Sequence, residues 1–184
     1  MVRNLNACSA WLLTAALLAA SASPVFAASA DDVVKFEQSN DCSECDLSGA
    51  DLSGSMNKAN PLKTLADSNF ENAVFTGSDI QQANFDCSNL AGAKLDGIRS
   101  RHPNFNKADL NGADLTNAML DTPNFFNADL SDANLTGVTW GSMTQEVALS
   151  GAKLCNTTMP DHSVDNSGCD GSALNRNRCV TTWR

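Results

Sequence analysis

The stretch that decides the fold is Ala108-Asp109-Leu110-Asn111-Gly112-Ala113-Asp114-Leu115-Thr116-Asn117, in which two similar five-residue units follow each other. Working outward from it, every fifth residue from 65 to 140 is large and apolar, with Ser100 as the exception. A helix repeats every 3.6 residues and a strand every two, so neither accounts for this spacing. The sequence therefore indicates a repeat architecture.

A second, longer period lies on top of the first. The segment His102-Pro103-Asn104-Phe105 resembles Thr122-Pro123-Asn124-Phe125, and Phe85 lies the same distance before Phe105. If four units complete one coil, residues 20 apart stack at strand spacing, about 4.8 Å. The asparagines at 84, 104 and 124 are then expected to hydrogen-bond along a column. The prolines lack an N–H, so each is expected at a corner, where it removes one ladder bond.

The tandem pattern Ala-Asp/Asn-Leu/Phe-x-x runs over roughly residues 45–160 and resembles that of the pentapeptide-repeat family. The resemblance implies an all-β fold, a right-handed quadrilateral parallel β-helix with four pentapeptides in each square coil. It also implies that the central Leu or Phe and the small residue two positions before it point inward. The predicted core includes Phe85, Phe105, Phe125, Leu110, Leu115, Leu130 and Leu135.

Three irregularities interrupt the repeat. The register has moved by three residues when the spacing resumes at Leu65, and it moves again after Trp140. Beyond that point the pattern predicts Val147, Ala152 and Thr157 in the small inward slot. At Ile98 and Ser100 the large and small residues have exchanged places, which we interpret as a packing variant that conserves core volume.

Both ends of a repeat stack need a cover. Residues 28–44 are predicted to form an N-terminal cap, in which Asp31 begins one short helix that turns Val33, Val34 and Phe36 inward. Residues 161–184 are rich in Asn, Asp, Ser and Gly and predict an irregular C-terminal cap.

Residues 1–27 read as a secretory signal peptide. Arg3 precedes an apolar run over 11–20 that is too short to span a bilayer, and Val25-Phe26-Ala27 offers a cleavage site. Ala28-Ser29-Ala30 is an alternative site. We therefore expect an exported protein without stable membrane insertion, in the periplasm or extracellular space, or in the thylakoid lumen if the source is photosynthetic.

The cysteines beyond the signal peptide are even in number, which favours disulfides in an exported chain. Cys155 and Cys169 are the first choice of pair, because Cys155 is on an outward position of the last coil. Cys42 could pair with Cys45 or with Cys87, and Cys179 has no obvious partner. The Cys42-x-x-Cys45 spacing also occurs in redox and zinc sites, but the βαβ setting and the second cysteine pair that those sites need are missing.

Little else in the sequence points to chemistry. The formal net charge is −9, and such a surface repels nucleic acid. The histidines, His102 and His162, stand in no catalytic motif. Asp109 and Asp129 are predicted to stack, and we interpret them as a solvated acidic face rather than a calcium site. We expect no cofactor, no metal and no enzymatic activity.

These observations predict an exported, non-catalytic structural or protein-interaction module with an unknown protein partner. The alternative is a DNA mimic that binds DNA gyrase, as some pentapeptide-repeat proteins do. The acidic composition suits that alternative, but the signal peptide disfavours it because gyrase is cytoplasmic. The sequence leaves the oligomeric state open.

Overall fold

The computed structural model describes residues 28–38, 42–53, 64–170 and 179. The predicted signal peptide therefore lies outside the described residues. So do the irregular segment at 54–63 and most of the predicted C-terminal cap.

The chain winds into parallel stacked coils of 20 residues. Parallel bridges join residues of that separation in successive coils, as in the series Thr64, Asn84, Asn104 and Asn124. Neighbouring columns repeat the pattern at five-residue intervals, so four five-residue units complete each coil. Both periods predicted from the sequence are thus confirmed.

Because the chain turns every five residues, regular elements are few and short. Helix α1 spans Ala30–Gln38 and helix α2 spans Gln145–Ala148. Strand β1 (Arg99–Arg101) pairs in parallel with β2 (Met119–Asp121), and β3 (Thr157–Thr158) pairs antiparallel with β4 (Val164–Asp165).

Most units turn through one left-handed residue and one local hydrogen bond. In the unit around Leu110, Gly112 has a φ of +66°, and the N–H of Ala113 donates to the carbonyl of Leu110 at 3.0 Å. Asn117 takes the equivalent place in the next unit with a φ of +58°. Gly and Asn tolerate this conformation better than other residues, which explains their frequency two positions after the core residue.

The large apolar residues fill the inside of the coils. The Phe85, Phe105 and Phe125 rings stack face to face, with centroids 5.2 and 4.9 Å apart. Ile98 and Ser100 are both buried, and the Ser100 hydroxyl donates to the carbonyl of Ile80 at 2.8 Å, which confirms the packing exchange. Four further residues of the predicted core, Leu110, Leu115, Leu130 and Leu135, are fully buried.

The prediction for the prolines was wrong in one respect. Pro103 and Pro123 are buried in the small inward slot, where the other units use their N–H for the local turn bond. The missing N–H therefore costs a turn bond within the coil, not a ladder bond between coils. β1 and β2 lie just before these prolines, and the chain stays extended there because no turn bond closes it.

Both shifts of register appear as wider coil separations. Asp46 bridges Asn69, 23 residues on, and Asp129 bridges Lys153, 24 residues on. The second shift contains α2, which changes the inward slot. Ala148 is buried and Val147 is 58% exposed, so the prediction that Val147 points inward was wrong.

Helix α1 lies against the first coil. The N–H of Ser29 donates to Asp46 O at 3.0 Å, and Phe36 is buried in the core. Ser29 rather than Asp31 accepts a bond from the first turn, from the N–H of Asp32. Val34 is 48% exposed, which contradicts its predicted inward direction. Within the described residues, no helix is both long and apolar enough to cross a membrane.

Candidate functional site

The structure joins the six described cysteines in three pairs. Cys155 is bonded to Cys169, the pair expected first, and Cys42 is bonded to Cys45. The alternative pair Cys42 and Cys87 is not formed. Cys87 instead bonds Cys179, the cysteine for which the sequence suggested no partner. Cys87 lies on the second coil of the regular repeat, far in sequence from Cys179. The spacing of the repeat gives no sign of this long-range contact.

The Cys42–Cys45 disulfide is inside the molecule. Both residues are 1% exposed, and Glu44 between them has a φ of +62°. The N–H of Cys42 donates to Thr64 O at 2.9 Å, which ties this turn to the next coil. A sulfur pair with no access to solvent cannot meet a substrate disulfide, so the arrangement supports a structural role.

The two histidines are exposed and far apart in the chain. His102 Nδ1 contacts the Thr122 hydroxyl of the next coil, and His162 follows the last coil, where its N–H donates to Met159 O. Across the described ranges, no group of three or more His, Cys, Asp or Glu side chains is placed to hold a metal ion.

Asp109 and Asp129 stack in one column, as predicted, together with Asn69 and Asn89. The interpretation as a solvated acidic face is wrong for Asp129, which is 7% exposed. Its Oδ1 accepts bonds from the N–H and hydroxyl of Ser131 at 3.1 and 2.6 Å, and its Oδ2 pairs with Lys153 Nζ at 3.2 Å. Protein donors thus occupy both carboxylate oxygens.

The Asp129 carboxyl is charged despite its burial. Burial pushes the pKa of Asp129 upward, but the hydrogen bonds from Ser131 and the positive charge of Lys153 outweigh it and hold that pKa below its ordinary value. Because protein donors hold both oxygens of Asp129, this carboxylate is poorly available to a cation.

A groove of about 440 Å³ lies beside α2, and we call it the α2 groove. One wall is the outer face of the coil at 122–126, and the other is the chain around α2. It is lined by His102, Thr122, Pro123, Asn124, Phe126, Met143, Val147, Ala148 and Ser150.

The α2 groove exposes large apolar side chains. Phe126 is 53% exposed and Val147 is 58% exposed, whereas most apolar side chains of the regular coils are buried. Phe126 follows the core residue Phe125 and so points outward by the repeat itself. Val147 points outward because α2 replaces a regular unit with a helical turn. Gly151 makes room for the Phe126 ring, since a Cβ at 151 would come within 2.9 Å of its Cδ2.

A basic stretch of the chain contains His102, one of the residues that line the α2 groove. Residues 99–107 hold Arg99, Arg101, His102 and Lys107 and no Asp or Glu. Arg99, Arg101 and His102 are exposed, and the N–H of Lys107 donates to Phe126 O at 2.9 Å, which places Lys107 one coil from the ring. The sequence analysis missed the groove, since nothing in the repeat signals how α2 folds.

Solved structures resemble this chain along most of its length. A pentapeptide repeat protein, Rfr23, from the cyanobacterium Cyanothece 51142 superposes with a TM-score of 0.55 at 25% identity, over 73% of this chain and 97% of that one. A pentapeptide repeat protein from the Arabidopsis thaliana thylakoid lumen superposes with a TM-score of 0.54 at 25% identity, over 64% of this chain and 78% of that one. No curated protein sequence matches at a significant level.

The family model for pentapeptide repeats matches residues 64–89, 83–121 and 104–139, with eight copies of the repeat. The matched region coincides with the coils of regular 20-residue spacing. Proteins of this family form right-handed β-helices and are generally structural or interaction modules rather than enzymes. Residues 64–139 of this chain are therefore pentapeptide repeats of this family.

Proposed function

We infer that this protein is an exported, non-catalytic protein-interaction module. The observation that carries this inference is the α2 groove, where Phe126 and Val147 expose apolar surface on a solenoid whose other large side chains are mostly inside. Exposed apolar side chains grouped at one concave place are typical of interaction sites. The described residues bring together no nucleophile, base and electrophile of a catalytic centre.

We assign the chain four segments. Residues 1–27 are the signal peptide, 28–44 the N-terminal cap, 45–160 the β-helix and 161–184 the C-terminal cap. The contacts of α1 with Asp46 and the bond from Gly168 N–H to Leu154 O, at 2.6 Å, support the two caps.

We place the mature protein in the periplasm or extracellular space, or in the thylakoid lumen of a photosynthetic source. Three cysteine pairs at bonding distance support an oxidising compartment. The likeness to a thylakoid-lumen protein supports the third possibility.

Fractionation of native cells tests the proposed localisation. We expect the protein in the periplasmic, secreted or lumenal fraction, with its N-terminus at or near Ala28. Full-length protein in the cytoplasmic fraction would overturn the export part of the proposal.

Affinity capture tests the interaction role. The purified protein is used as bait in extract from its own compartment, and the matched bait carries Phe126→Ser. We expect a partner that the native bait retains and the variant loses. Baits that retain no specific partner in several extracts contradict the proposal.

The gyrase-binding alternative fits the structure less well. The outward column Asp46, Asn69, Asn89, Asp109 and Asp129 ends on Lys153, and its asparagines interrupt the acidic charge. Such a column lacks the unbroken line of negative charge that phosphates give to DNA. Supercoiling by gyrase in the presence of mature protein discriminates the two functions, and inhibition at micromolar concentration would favour the alternative.

A further inference from the structure

We propose that residues 180–184 of this chain occupy the α2 groove, with the Trp183 indole between Phe126 and Val147. The inference concerns the regulation of the groove and rests on the proposed function for its consequence, since a partner protein must first displace this segment. It stands on two independent observations. A disulfide anchors the start of the segment two coils from the groove, and the residues that follow the anchor match the apolar lining.

The anchor is the Cys87–Cys179 disulfide, whose Cα atoms are 5.5 Å apart. Two ladder bonds connect its position with the groove. The N–H of Cys87 donates to Asn106 O at 3.0 Å, and the N–H of Lys107 donates to Phe126 O at 2.9 Å. Cys87 therefore lies two coils from the Phe126 backbone, a distance of about 10 Å at strand spacing. The disulfide thus fixes where the segment begins.

The segment after Cys179 is long enough to reach the groove. An extended chain advances about 3.3–3.6 Å per residue, so the four steps from Cys179 to Trp183 cover about 13–14 Å. That length exceeds the two-coil separation, and the indole adds its own reach. Val180, Thr181 and Thr182 are residue types that favour extended backbone. A run from Cys179 toward the later coils therefore brings Trp183 to the coil wall of the groove.

The groove lining suits an aromatic ring better than a charged side chain. None of the lining residues is Arg, Lys, Asp or Glu. Phe126 on the coil wall is 53% exposed, and Val147 on the α2 wall is 58% exposed. An indole between them covers apolar surface on both walls and releases the water there. Because the disulfide already holds the segment nearby, this contact costs little of the freedom that a separate ligand loses on binding.

Charge supports the same placement. Glu146 is exposed and precedes Val147 on α2, and Arg184 follows Trp183. With the indole against Val147, Arg184 comes within reach of the Glu146 carboxylate. An exposed ion pair of this kind adds little affinity, but it favours this direction of the segment.

A charged surface lies in the opposite direction from Cys87. Asp67 is one coil earlier in the same column, and burial, followed by the nearby charges of Asp86 and Glu44, raises the pKa of Asp67. Arg184 would gain an ion pair there. Such an exposed pair contributes less than the burial of an indole, so the groove is the favoured position.

Trp183 reports its own position. In the chain that begins at Ala28, with its disulfides formed, the tryptophans are Trp140 and Trp183. In isotopically labelled protein we expect nuclear Overhauser effects between the Trp183 indole and the Val147 methyl groups. We also expect acrylamide to quench Trp183 fluorescence several-fold more slowly than the fluorescence of a free tryptophan amide. The Trp183→Phe variant supplies the signal of Trp140, which is subtracted.

A matched pair of variants tests the groove. Phe126→Ser removes the aromatic side chain of the coil wall and is expected to make Trp183 several-fold more accessible to acrylamide. The control is Met119→Ser, which removes an apolar side chain that is 42% exposed but does not line the groove. The control is expected to leave Trp183 protected.

A second pair tests the anchor. The double variant C87S/C179S removes the disulfide that holds the segment, and it is expected to expose Trp183 to acrylamide as Phe126→Ser does. The double variant C155S/C169S removes another disulfide and leaves Cys179 bonded. Trp183 is expected to stay protected in this control.

Three results overturn the placement. Trp183 is then quenched as fast as the free amide in the native protein, or its Overhauser effects lead to residues around Asp67, or the groove and anchor variants leave it protected. Overhauser effects that disappear on dilution, together with a dimer in sedimentation, identify a second copy as the source of the indole and also overturn the inference.

Affinity capture tests the consequence for a partner. A tethered segment competes at an effective concentration of about 1 mM, so the Trp183→Ser bait is expected to retain several-fold more partner than the native bait. Equal retention overturns the regulatory role. A protected Trp183 in a protein that captures no partner supports the placement and contradicts the proposed function. An exposed Trp183 in a protein whose partner is lost on Phe126→Ser does the reverse.

Discussion

Asp129 shows how one residue keeps its charge inside a solenoid wall. The hydrogen bonds from Ser131 come from its own turn, and Lys153 comes from the next coil at a separation lengthened by the α2 segment. The ion pair therefore links the regular coils to the irregular last one. The pKa of Asp129 is lowered in the folded state, so the strength of this ion pair depends on pH.

Lys153→Met is expected to destabilise the protein by about 1–2 kcal/mol at neutral pH, because Asp129 stays buried without its cation. The folded pKa of Asp129 is below its unfolded value of about 3.9. The stability that the carboxylate contributes is thus present above that value and is lost as the pH falls through the folded pKa. The difference between native and variant proteins in urea unfolding should therefore shrink in acid. The exposed Lys94→Met is the control, and an equal difference at both pH values would refute the account.

Gly151→Ala tests the contact under Phe126. Gly151 and Gly112 share a positive φ, +74° and +66°, but a Cβ at 112 meets no atom within 4 Å. Gly112→Ala is expected to lower the free energy of unfolding by about 1 kcal/mol from backbone strain alone. Gly151→Ala is expected to lower it by about 2 kcal/mol, because its Cβ also clashes with the Phe126 ring. Adding Phe126→Ala should return Gly151→Ala to the cost of Gly112→Ala in a double-mutant cycle. Equal costs for the two single variants would show that the ring yields freely.

At the scale of elements, the phenylalanine column is the strongest regular feature of the core. Phe105 packs between Phe85 and Phe125 with nearly parallel rings. Phe105→Ala is expected to cost about 3–5 kcal/mol, because stacked coils cannot collapse into the cavity. Urea unfolding measures the loss, with Phe105→Leu as the milder comparison. A loss below about 1 kcal/mol would show that the coils move together to fill the space.

The sequence predicted these elements well wherever the same packing requirement repeats along the chain. Inward packing recurs at every fifth residue, so the column of Phe85, Phe105 and Phe125 could be read directly. The predictions that Val147 and Val34 point inward failed because each residue belongs to a helix. In a helix, contacts with the neighbouring coils, and not the five-residue repeat, determine which side chains face the core. The α2 groove escaped prediction for the same reason, since it exists only where α2 departs from the repeat.

At the scale of the whole molecule, the disulfides act over very different spans. Cys87 and Cys179 are 92 residues apart in sequence, whereas Cys155 and Cys169 are 14 apart. Closing a longer loop removes more freedom from the unfolded chain. The double variant C87S/C179S is therefore expected to lose about 4.6 kcal/mol and C155S/C169S about 3 kcal/mol. Calorimetric or urea unfolding of the oxidised proteins measures both.

Peptide mapping under non-reducing conditions checks the pairing itself. We expect fragments that link Cys42 to Cys45, Cys87 to Cys179 and Cys155 to Cys169. A fragment that links Cys42 to Cys87 would refute this connectivity and restore the alternative that the sequence left open.

The final coil has a consequence for how the protein behaves at high concentration. A stack of parallel coils has no inherent length, since each exposed rim is a template for another. Here the chain reverses after Met159 and pairs β4 antiparallel with β3. The N–H of Gly168 then donates to the carbonyl of Leu154. The last rim is thus already occupied by strands running the wrong way for a further coil. This arrangement prevents a second molecule from adding its coils to this end and extending the stack into a fibre.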